Sequence, residues 1–249
     1  MSGHNKWSTI KHKKAKADSA RSSAWTKIVR ELIVSARGGG SDVEFNPALR
    51  LAVQKAKAAN MPKDNIERAI KRGAGGEDAT IYDEIWYEGY GSGGVAILVK
   101  TLTDNKNRTV AEVRAIFSKN GGAMGEVGSV AWQFDAKGLI TIPAEGVDED
   151  TLMMAALDAG ADDLERAGDL FQVTTAPTAL MDVARKLELA GYTLDTTELT
   201  RIPQNLVPVD EKAASVVLRI SSILEDHDDV QAVYFNADID DELAAKLMG

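Results

Sequence analysis

The chain has 249 residues, of which 44% are hydrophobic and 27% are charged, a composition typical of soluble globular proteins. It contains no cysteine, which excludes disulfides, cysteine-ligated zinc and thiol catalysis. No run approaches the roughly eighteen apolar residues of a membrane span, and the basic N-terminus lacks the apolar segment of a secretory signal. These features predict a cytoplasmic protein.

Charge is divided unevenly along the chain. Residues 1–75 hold 16 Lys+Arg and 6 Asp+Glu, whereas residues 76–249 hold 13 Lys+Arg and 32 Asp+Glu. The net charge of −9 therefore hides a cationic segment that can hold a polyanion. Because an acidic body repels phosphate, we expect any contact with nucleic acid on the N-terminal part.

The N-terminal part predicts an arm followed by three helices. Residues 1–23 contain few large apolar groups, so they are predicted to form a mobile basic arm. Apolar residues then recur with helical spacing over residues 25–36, ahead of three glycines. Asn46 and Pro47 predict the start of a second helix, Pro62 opens a third, and Gly73 is expected just beyond its end. Short links between these helices predict a small bundle.

From about residue 81 the pattern changes to alternating strands and helices. Residues 81–90 and 95–102 are rich in β-branched and aromatic side chains and predict a hairpin. Two strands, 130–134 and 139–142, are expected around a turn at Lys137 and Gly138. Helices are predicted at 110–117, 152–159, 180–190 and 213–224, and extended segments at 170–175, 192–202 and 230–235. This order predicts an α+β fold, with helices on one face of antiparallel sheets.

The arm is the first candidate site. Five lysines and two histidines precede its first acidic residue, Asp18, and lysine ammonium groups neutralise phosphates whatever the base sequence. Trp7 offers a ring on which an unpaired base can stack, worth roughly 1–3 kcal/mol. The alternative is a solvated charged tail, but the basic character continues along the first helix. The predicted nucleic-acid contacts here are Lys6, Trp7, Lys11, His12, Lys13, Lys14, Lys16, Arg21, Lys27 and Arg30.

A second candidate site lies at residues 103–109. Asn105 or Asn107 can cap the helix that follows, and helix N-termini attract phosphate. Lys106 and Arg108 would add positive charge there. The alternative interpretation is a capped helix with two solvated cations.

Other motifs point to no chemistry. The glycine loop at 121–128 lacks the Lys-Ser/Thr ending of a phosphate-binding P-loop and follows a helix. Acidic clusters at 148–150, 162–163 and 226–229 do not match a calcium loop and are interpreted as solvated surface. His4, His12 and His227 are too scattered for a metal or catalytic set. We therefore predict a protein that is not an enzyme and uses no metal and no cofactor.

Several unusual strings closely resemble the YebC family. They include the arm, KIVREL at 27–32, NIERAI at 65–70, YEGYG at 87–91, TDNKNRT at 103–109 and SKNGG at 118–122. The resemblance implies three domains, the third inserted in the second. On that scheme the arm spans 1–23, the helical bundle 24–76, the middle α+β domain 77–129 plus 210–249, and the inserted α+β domain 130–209. Family members often carry more basic residues where this chain has Ser22 and Ser23.

The resemblance also implies two functions. Bacterial members are classed as DNA-binding transcriptional regulators, whereas a mitochondrial relative activates translation of a cytochrome oxidase subunit. We therefore expect a nucleic-acid-binding regulator of gene expression, with a DNA-binding transcriptional regulator as the main hypothesis. The alternative is a ribosome-associated translation factor that contacts RNA. Protein partners on the acidic domains are a third expectation, and no membrane partner is expected.

Overall fold

The computed structural model describes residues 19–75, 80–240, 243, 246 and 247, with the backbone alone for residues 19–22. In the described residues, its N-terminal domain contains α1 (Ser19–Gly39), α2 (Pro47–Ala58) and α3 (Lys63–Gly73). The predicted three-helix bundle is confirmed, and α1 begins inside the segment predicted as the arm. The bundle core is formed by apolar residues of all three helices, among them Ile28, Leu32, Ile33, Leu49, Ala52, Ala56, Ile66 and Ala69.

Local chemistry defines the helix ends in this bundle. The side chain of Asn46 accepts a hydrogen bond from the Leu49 N–H at 3.0 Å, which confirms the predicted cap of α2. The prediction for Gly73 was wrong, because this residue is the buried last residue of α3. A Cβ at this position would lie 2.4 Å from the Ile33 carbonyl oxygen. Glycine is therefore required by the close approach of α3 to α1.

The remaining elements follow in an alternating order. The described part of the chain also contains 3₁₀ turns at Ser92–Gly94 and Ala131–Gln133. In chain order the elements are β1 (Asp83–Tyr90), β2 (Ala96–Thr103), α4 (Lys106–Lys119), β3 (Ala123–Met124), β4 (Phe134–Pro143), α5 (Glu149–Ala159), β5 (Asp163–Ala167), β6 (Leu170–Thr175), α6 (Leu180–Leu189), β7 (Thr196–Pro203), β8 (Val207–Pro208), α7 (Glu211–Asp226), β9 (Val230–Phe235) and β10 (Ala237–Asp238).

The middle domain is a four-stranded antiparallel sheet in the order β3-β1-β2-β9. β1 and β2 form the predicted hairpin, in register from Asp83↔Thr103 to Tyr90↔Ala96. β9 pairs with the other edge of β2, so a strand near the C-terminus completes a sheet that the chain began at β1. Side chains of α4 and α7 pack on one face of this sheet around Val99, Phe117 and Val217. The implied insertion of the third domain in the second is confirmed.

The inserted domain is a second antiparallel sheet, in the order β5-β6-β4-β7. Its elements run β-α-β-β-α-β, and α5 and α6 pack on one face against Ile140, Phe171 and Val173. The turn expected at Lys137 and Gly138 was wrong, since both lie within the continuous strand β4. A Cβ on Gly138 would lie 2.3 Å from Thr175 Oγ1 and 2.8 Å from Leu180 Cβ, so glycine lets α6 pack closely. β5 was not predicted.

Nothing in the part of the chain that the structure describes is a helix both long and apolar enough to cross a bilayer.

A buried carboxylate shapes the connection from β3 to β4. Glu88 is 5% exposed, and its two carboxylate oxygens accept the N–H groups of Gly128 at 2.6 Å, Val130 at 2.6 Å and Ala131 at 2.7 Å. Burial alone raises the pKa of Glu88, but these three hydrogen bonds outweigh it and the pKa is lowered. The strand predicted at 130–134 was therefore wrong for residues 130–133, because Glu88 takes N–H groups that a sheet would need, and β4 begins only at Phe134.

We expect Glu88→Gln to destabilise the protein by about 2 kcal/mol. Both carboxylate oxygens of Glu88 accept backbone N–H groups, but a glutamine has only one side-chain oxygen. Its NH₂ group would therefore face at least one backbone N–H, donor against donor. Urea unfolding measures the effect. Glu126→Gln is the matched control, because Glu126 is an exposed residue of the same connection. Equal losses of stability in the two variants would contradict the role assigned to Glu88.

Candidate nucleic-acid interface

The predicted nucleic-acid contacts divide into two groups. Lys6, Trp7, Lys11, His12, Lys13, Lys14 and Lys16 lie outside the described residues. Arg21 lies near the start of α1, and only its backbone is described. The structure thus gives side-chain positions for four predicted contacts, which are Lys27, Arg30, Lys106 and Arg108.

Lys27 and Arg30 lie on the side of α1 that faces the middle domain. The Lys27 ammonium donates to the carbonyl oxygen of Glu225 in the last turn of α7, where the helix dipole favours a cation. Arg30 Nη1 donates to the carbonyl oxygens of Leu102 at 3.1 Å and Asp228 at 2.8 Å. Both charged groups therefore attach the helical domain to the middle domain.

Arg30 and Arg108 converge on Asp229, a residue that sequence reasoning missed. Asp229 Oδ1 lies 2.5 Å from Arg30 Nη1, and Oδ2 lies 2.8 Å from Arg108 Nη2. The hydroxyls of Thr109 and Thr103 donate to the same Oδ2 at 2.6 and 3.1 Å. Asp229 is 1% exposed, so one buried carboxylate joins a guanidinium of the helical domain to one of the middle domain.

The pKa values reflect this arrangement. Burial alone raises the pKa of Asp229, but hydrogen bonds from Arg108, Thr109 and Arg30 outweigh burial and lower it to about 2. Hydrogen bonds to Asp229 and then Asp104 raise the pKa of Arg108 above its ordinary value. Asp229 therefore remains an anion, and Arg108 a cation, throughout the physiological pH range.

The interpretation of residues 226–229 as solvated acidic surface was wrong for Asp229. The one sequence feature that could have distinguished Asp229 from the other aspartates is its position directly before the strand predicted at 230–235. Ligand atoms of Glu112, His227 and Asp229 lie within 4.8 Å of one another, as in a metal site. However, both oxygens of Asp229 already accept hydrogen bonds, and His227 Nδ1 accepts the Asp229 N–H at 3.1 Å. Because Nδ1 accepts this bond, Nε2 carries the proton and donates to Glu112 Oε2 at 2.8 Å, so neither ring nitrogen of His227 is free to bind an ion.

At the second predicted site, Asn105, one of the two predicted candidates, is the cap of α4. Its side chain accepts the Arg108 N–H at 3.1 Å. The cations there are paired within the chain and are not simply solvated. Arg108 Nη2 also lies 2.9 Å from Asp104 Oδ1, and Lys106 Nζ lies 3.3 Å from Asp83 Oδ1. Contact of these residues with nucleic acid stays a prediction.

Most of the positive charge of the helical domain lies on α2 and α3. Residues 19–75 hold eleven Lys+Arg and five Asp+Glu. Lys55 pairs with Glu31 at 2.8 Å. Lys63 lies 3.5 Å from Glu67, but its side chain is exposed. Together with four other exposed cations of α2 and α3 it extends the candidate interface beyond the residues predicted from sequence; these four are Lys57, Arg68, Lys71 and Arg72.

Replacing Asp229 should loosen the helical domain. We expect Asp229→Asn to lower the free energy of unfolding by about 2–3 kcal/mol, near the lower end for a broken buried ion pair because Arg108 is partly exposed. Backbone amides of α1 should exchange hydrogen faster. Asp226→Asn is the matched control, since Asp226 is an exposed aspartate of the same segment. Unchanged exchange in α1 would contradict the assignment.

The Asp229 contact should also depend on pH in a defined window. Its folded-state pKa of about 2 lies below the ordinary value of about 3.9, so its stabilisation is complete above pH 4 and is lost as the pH falls toward 2. Urea unfolding of the wild type and Asp229→Asn should therefore differ by a constant amount between about pH 5 and 8. The difference should shrink below about pH 4. A difference that vanishes near neutral pH would count against this account.

Comparison with known proteins identifies the family of this chain. The model described as "TACO1/YebC protein N-terminal domain" matches residues 5–76, and that described as "TACO1/YebC second and third domain" matches residues 82–237. The crystal structure of a conserved hypothetical protein from Aquifex aeolicus superimposes with a TM-score of 0.86 at 44% identity. The match covers 93% of this chain and 96% of that one.

Full-length relatives agree with the family models. A "Probable transcriptional regulatory protein" of Geotalea uraniireducens is 52% identical over 248 residues, which is 100% of both chains. Relatives with the same description in Desulforapulum autotrophicum and Geobacter sulfurreducens are 55% identical over 243 residues and 54% identical over 248 residues. They cover 98% and 100% of both chains, respectively. The chain therefore belongs to the TACO1/YebC family.

Proposed function

We propose that this chain is a non-enzymatic, cytoplasmic regulator of gene expression that binds nucleic acid, and more specifically a DNA-binding transcriptional regulator. The observation that carries the proposal is the change in sign of the charge between residues 1–75 and the rest of the chain. A positive segment beside a negative body directs a polyanion to one end of the molecule. The relatives described as transcriptional regulatory proteins support the same role.

The mechanism is electrostatic. Ammonium and guanidinium groups neutralise phosphates and release counterions, so affinity falls steeply with salt. Trp7 adds a ring for stacking or for wedging between bases. The exposed cations of α2 and α3 extend the surface available to the backbone. The proposed phosphate contacts of the N-terminal segment are Lys6, Lys11, His12, Lys13, Lys14, Lys16 and Arg21.

The contacts with the middle domain give Lys27 and Arg30 a second role. Their charged groups are bonded to α7, to the end of β2 and to the segment before β9. They support nucleic-acid binding by fixing α1 on the middle domain, which orients the helix that continues from the N-terminal segment. Arg108, on α4, binds the other oxygen of Asp229, and Lys106 pairs with Asp83.

The rival function uses the same chemistry on a different polyanion. A ribosome-associated translation factor would contact ribosomal RNA through the same positive segment. Binding to a duplex of promoter DNA, compared with cosedimentation with ribosomes at matched salt, separates the two. Preferential cosedimentation with ribosomes would replace the transcriptional proposal. A protein adaptor that works through its acidic domains would keep its partner after deletion of residues 1–18.

The N-terminal lysines should dominate affinity. We expect the triple change Lys11→Glu, Lys13→Glu and Lys14→Glu to abolish binding of a fluorescent DNA duplex measured by anisotropy. In the wild type, log affinity should fall linearly with log salt, with a slope of roughly −0.9 for each phosphate contacted.

A matched control keeps the same change in total charge. Lys119→Glu, Arg185→Glu and Lys212→Glu alter three exposed cations of the acidic domains. This variant should retain most of its affinity. Equal losses in the two triple variants would mean that overall charge governs binding, and an unchanged affinity in the first would overturn the proposal.

A further inference from the structure

An open cleft with aromatic and cationic walls lies beside α1. Its volume is about 390 Å³, within the range of small-molecule sites. The described residues that line it include no carboxylate, whereas Asp64 and Glu67 line a second cleft, on α3. The lining residues are Trp25, Thr26, Val29, Arg30, Arg72 and Tyr82.

The aromatic walls are held in place by contacts within the chain. The Trp25 indole N–H donates to the Ala59 carbonyl oxygen at 3.0 Å, which fixes the orientation of the ring. The Arg30 guanidinium lies 5.3 Å from the centre of the Tyr82 ring. Rings held in this way can accept a flat ligand without losing much side-chain freedom.

Polar groups at the cleft match an anionic ligand. Arg72 has an exposed side chain in the last turn of α3. Arg30 Nε is buried and has no hydrogen-bond partner among the described residues, although the other end of this guanidinium is bonded to Asp229. Because this nitrogen is buried, a ligand in the cleft cannot reach it, and Arg72 is the guanidinium that can bind a phosphate directly.

We propose that this cleft is a subsite for one unpaired nucleotide, with the base against the rings of Trp25 and Tyr82 and the phosphate on Arg72. The proposal rests on the nucleic-acid-binding function and adds a preference for single-stranded segments. Bases stack on aromatic side chains whatever their identity, and guanidinium groups bind phosphate in a bidentate manner. A base paired within a duplex is already stacked and cannot enter.

The test compares single-stranded and duplex probes. Anisotropy with labelled single-stranded RNA, single-stranded DNA and duplex DNA, at one salt concentration, should give a loss of about 10-fold on both single strands for Tyr82→Leu. The same variant should bind the duplex as the wild type does. Leucine keeps apolar volume at this position, and circular dichroism melting verifies that the variant is folded.

Arg72 has a matched control on its own helix. Arg72→Gln and Arg68→Gln remove the same charge from exposed positions of α3, but Arg68 does not line this cleft. We expect Arg72→Gln to weaken single-strand binding several-fold more than Arg68→Gln. A single-stranded probe carrying 4-thiouridine should also crosslink to the segment that contains Trp25 or to the one that contains Tyr82.

The outcomes separate this inference from the proposed function. If the wild type binds both kinds of probe, but Tyr82→Leu and Arg72→Gln behave as Arg68→Gln does, the subsite is wrong and nucleic-acid binding stands. Equal losses on single strands and duplex would also overturn the subsite. If the wild type binds none of the probes, the proposed function itself fails.

Discussion

The position of the helical domain depends on one buried carboxylate shared by two guanidinium groups. Arg30 from α1 and Arg108 from α4 reach different oxygens of Asp229. Thr103 and Thr109 add hydroxyl donors, so the buried ion is both neutralised and hydrogen-bonded, the conditions under which such burial is tolerated. Asp229 directly precedes β9, the strand that completes the middle sheet after the inserted domain. The carboxylate that binds Arg30 of α1 is therefore in place only once this late part of the chain has joined the sheet.

The same contacts explain how a basic domain and an acidic body share one chain. Opposite charges attract, and a loosely held basic domain would spread its cations over acidic surface. Lys27 and Arg30 instead bind specific carbonyl and carboxylate oxygens, and these directional bonds fix the orientation of α1. Lys71 and Arg72 on α3 remain exposed. The structure thus uses a few cations to hold the domain and leaves others accessible to a polyanion.

Local sequence patterns were sufficient where local contacts decide the structure. The strands at 170–175 and 230–235 have the bounds that their β-branched content predicted, and Asn46 caps its helix. The errors arose where a distant segment intervenes. Gly138 has the character of a turn residue, but the strand needs a glycine there because Leu180 packs against it. Residues 130–134 have strand composition, but Glu88, on β1, binds the first of their N–H groups.

The charged residues of the candidate interface were also predicted incompletely, because their ion pairs join residues far apart in the sequence. Asp229 lies 199 residues after Arg30 and 121 after Arg108, so no local window contains both ends of either ion pair. The aspartates at 226 and 228 give this segment the composition of an exposed acidic surface, and only the pairing of β9 with β2 places Asp229 inside. A count of cations along a sequence therefore overstates a polyanion-binding surface, because it includes those that the fold neutralises. Among the described residues of this chain, Lys27 and Arg30 on α1 are bonded to the middle domain, whereas Lys57 on α2 and Lys71 and Arg72 on α3 are exposed.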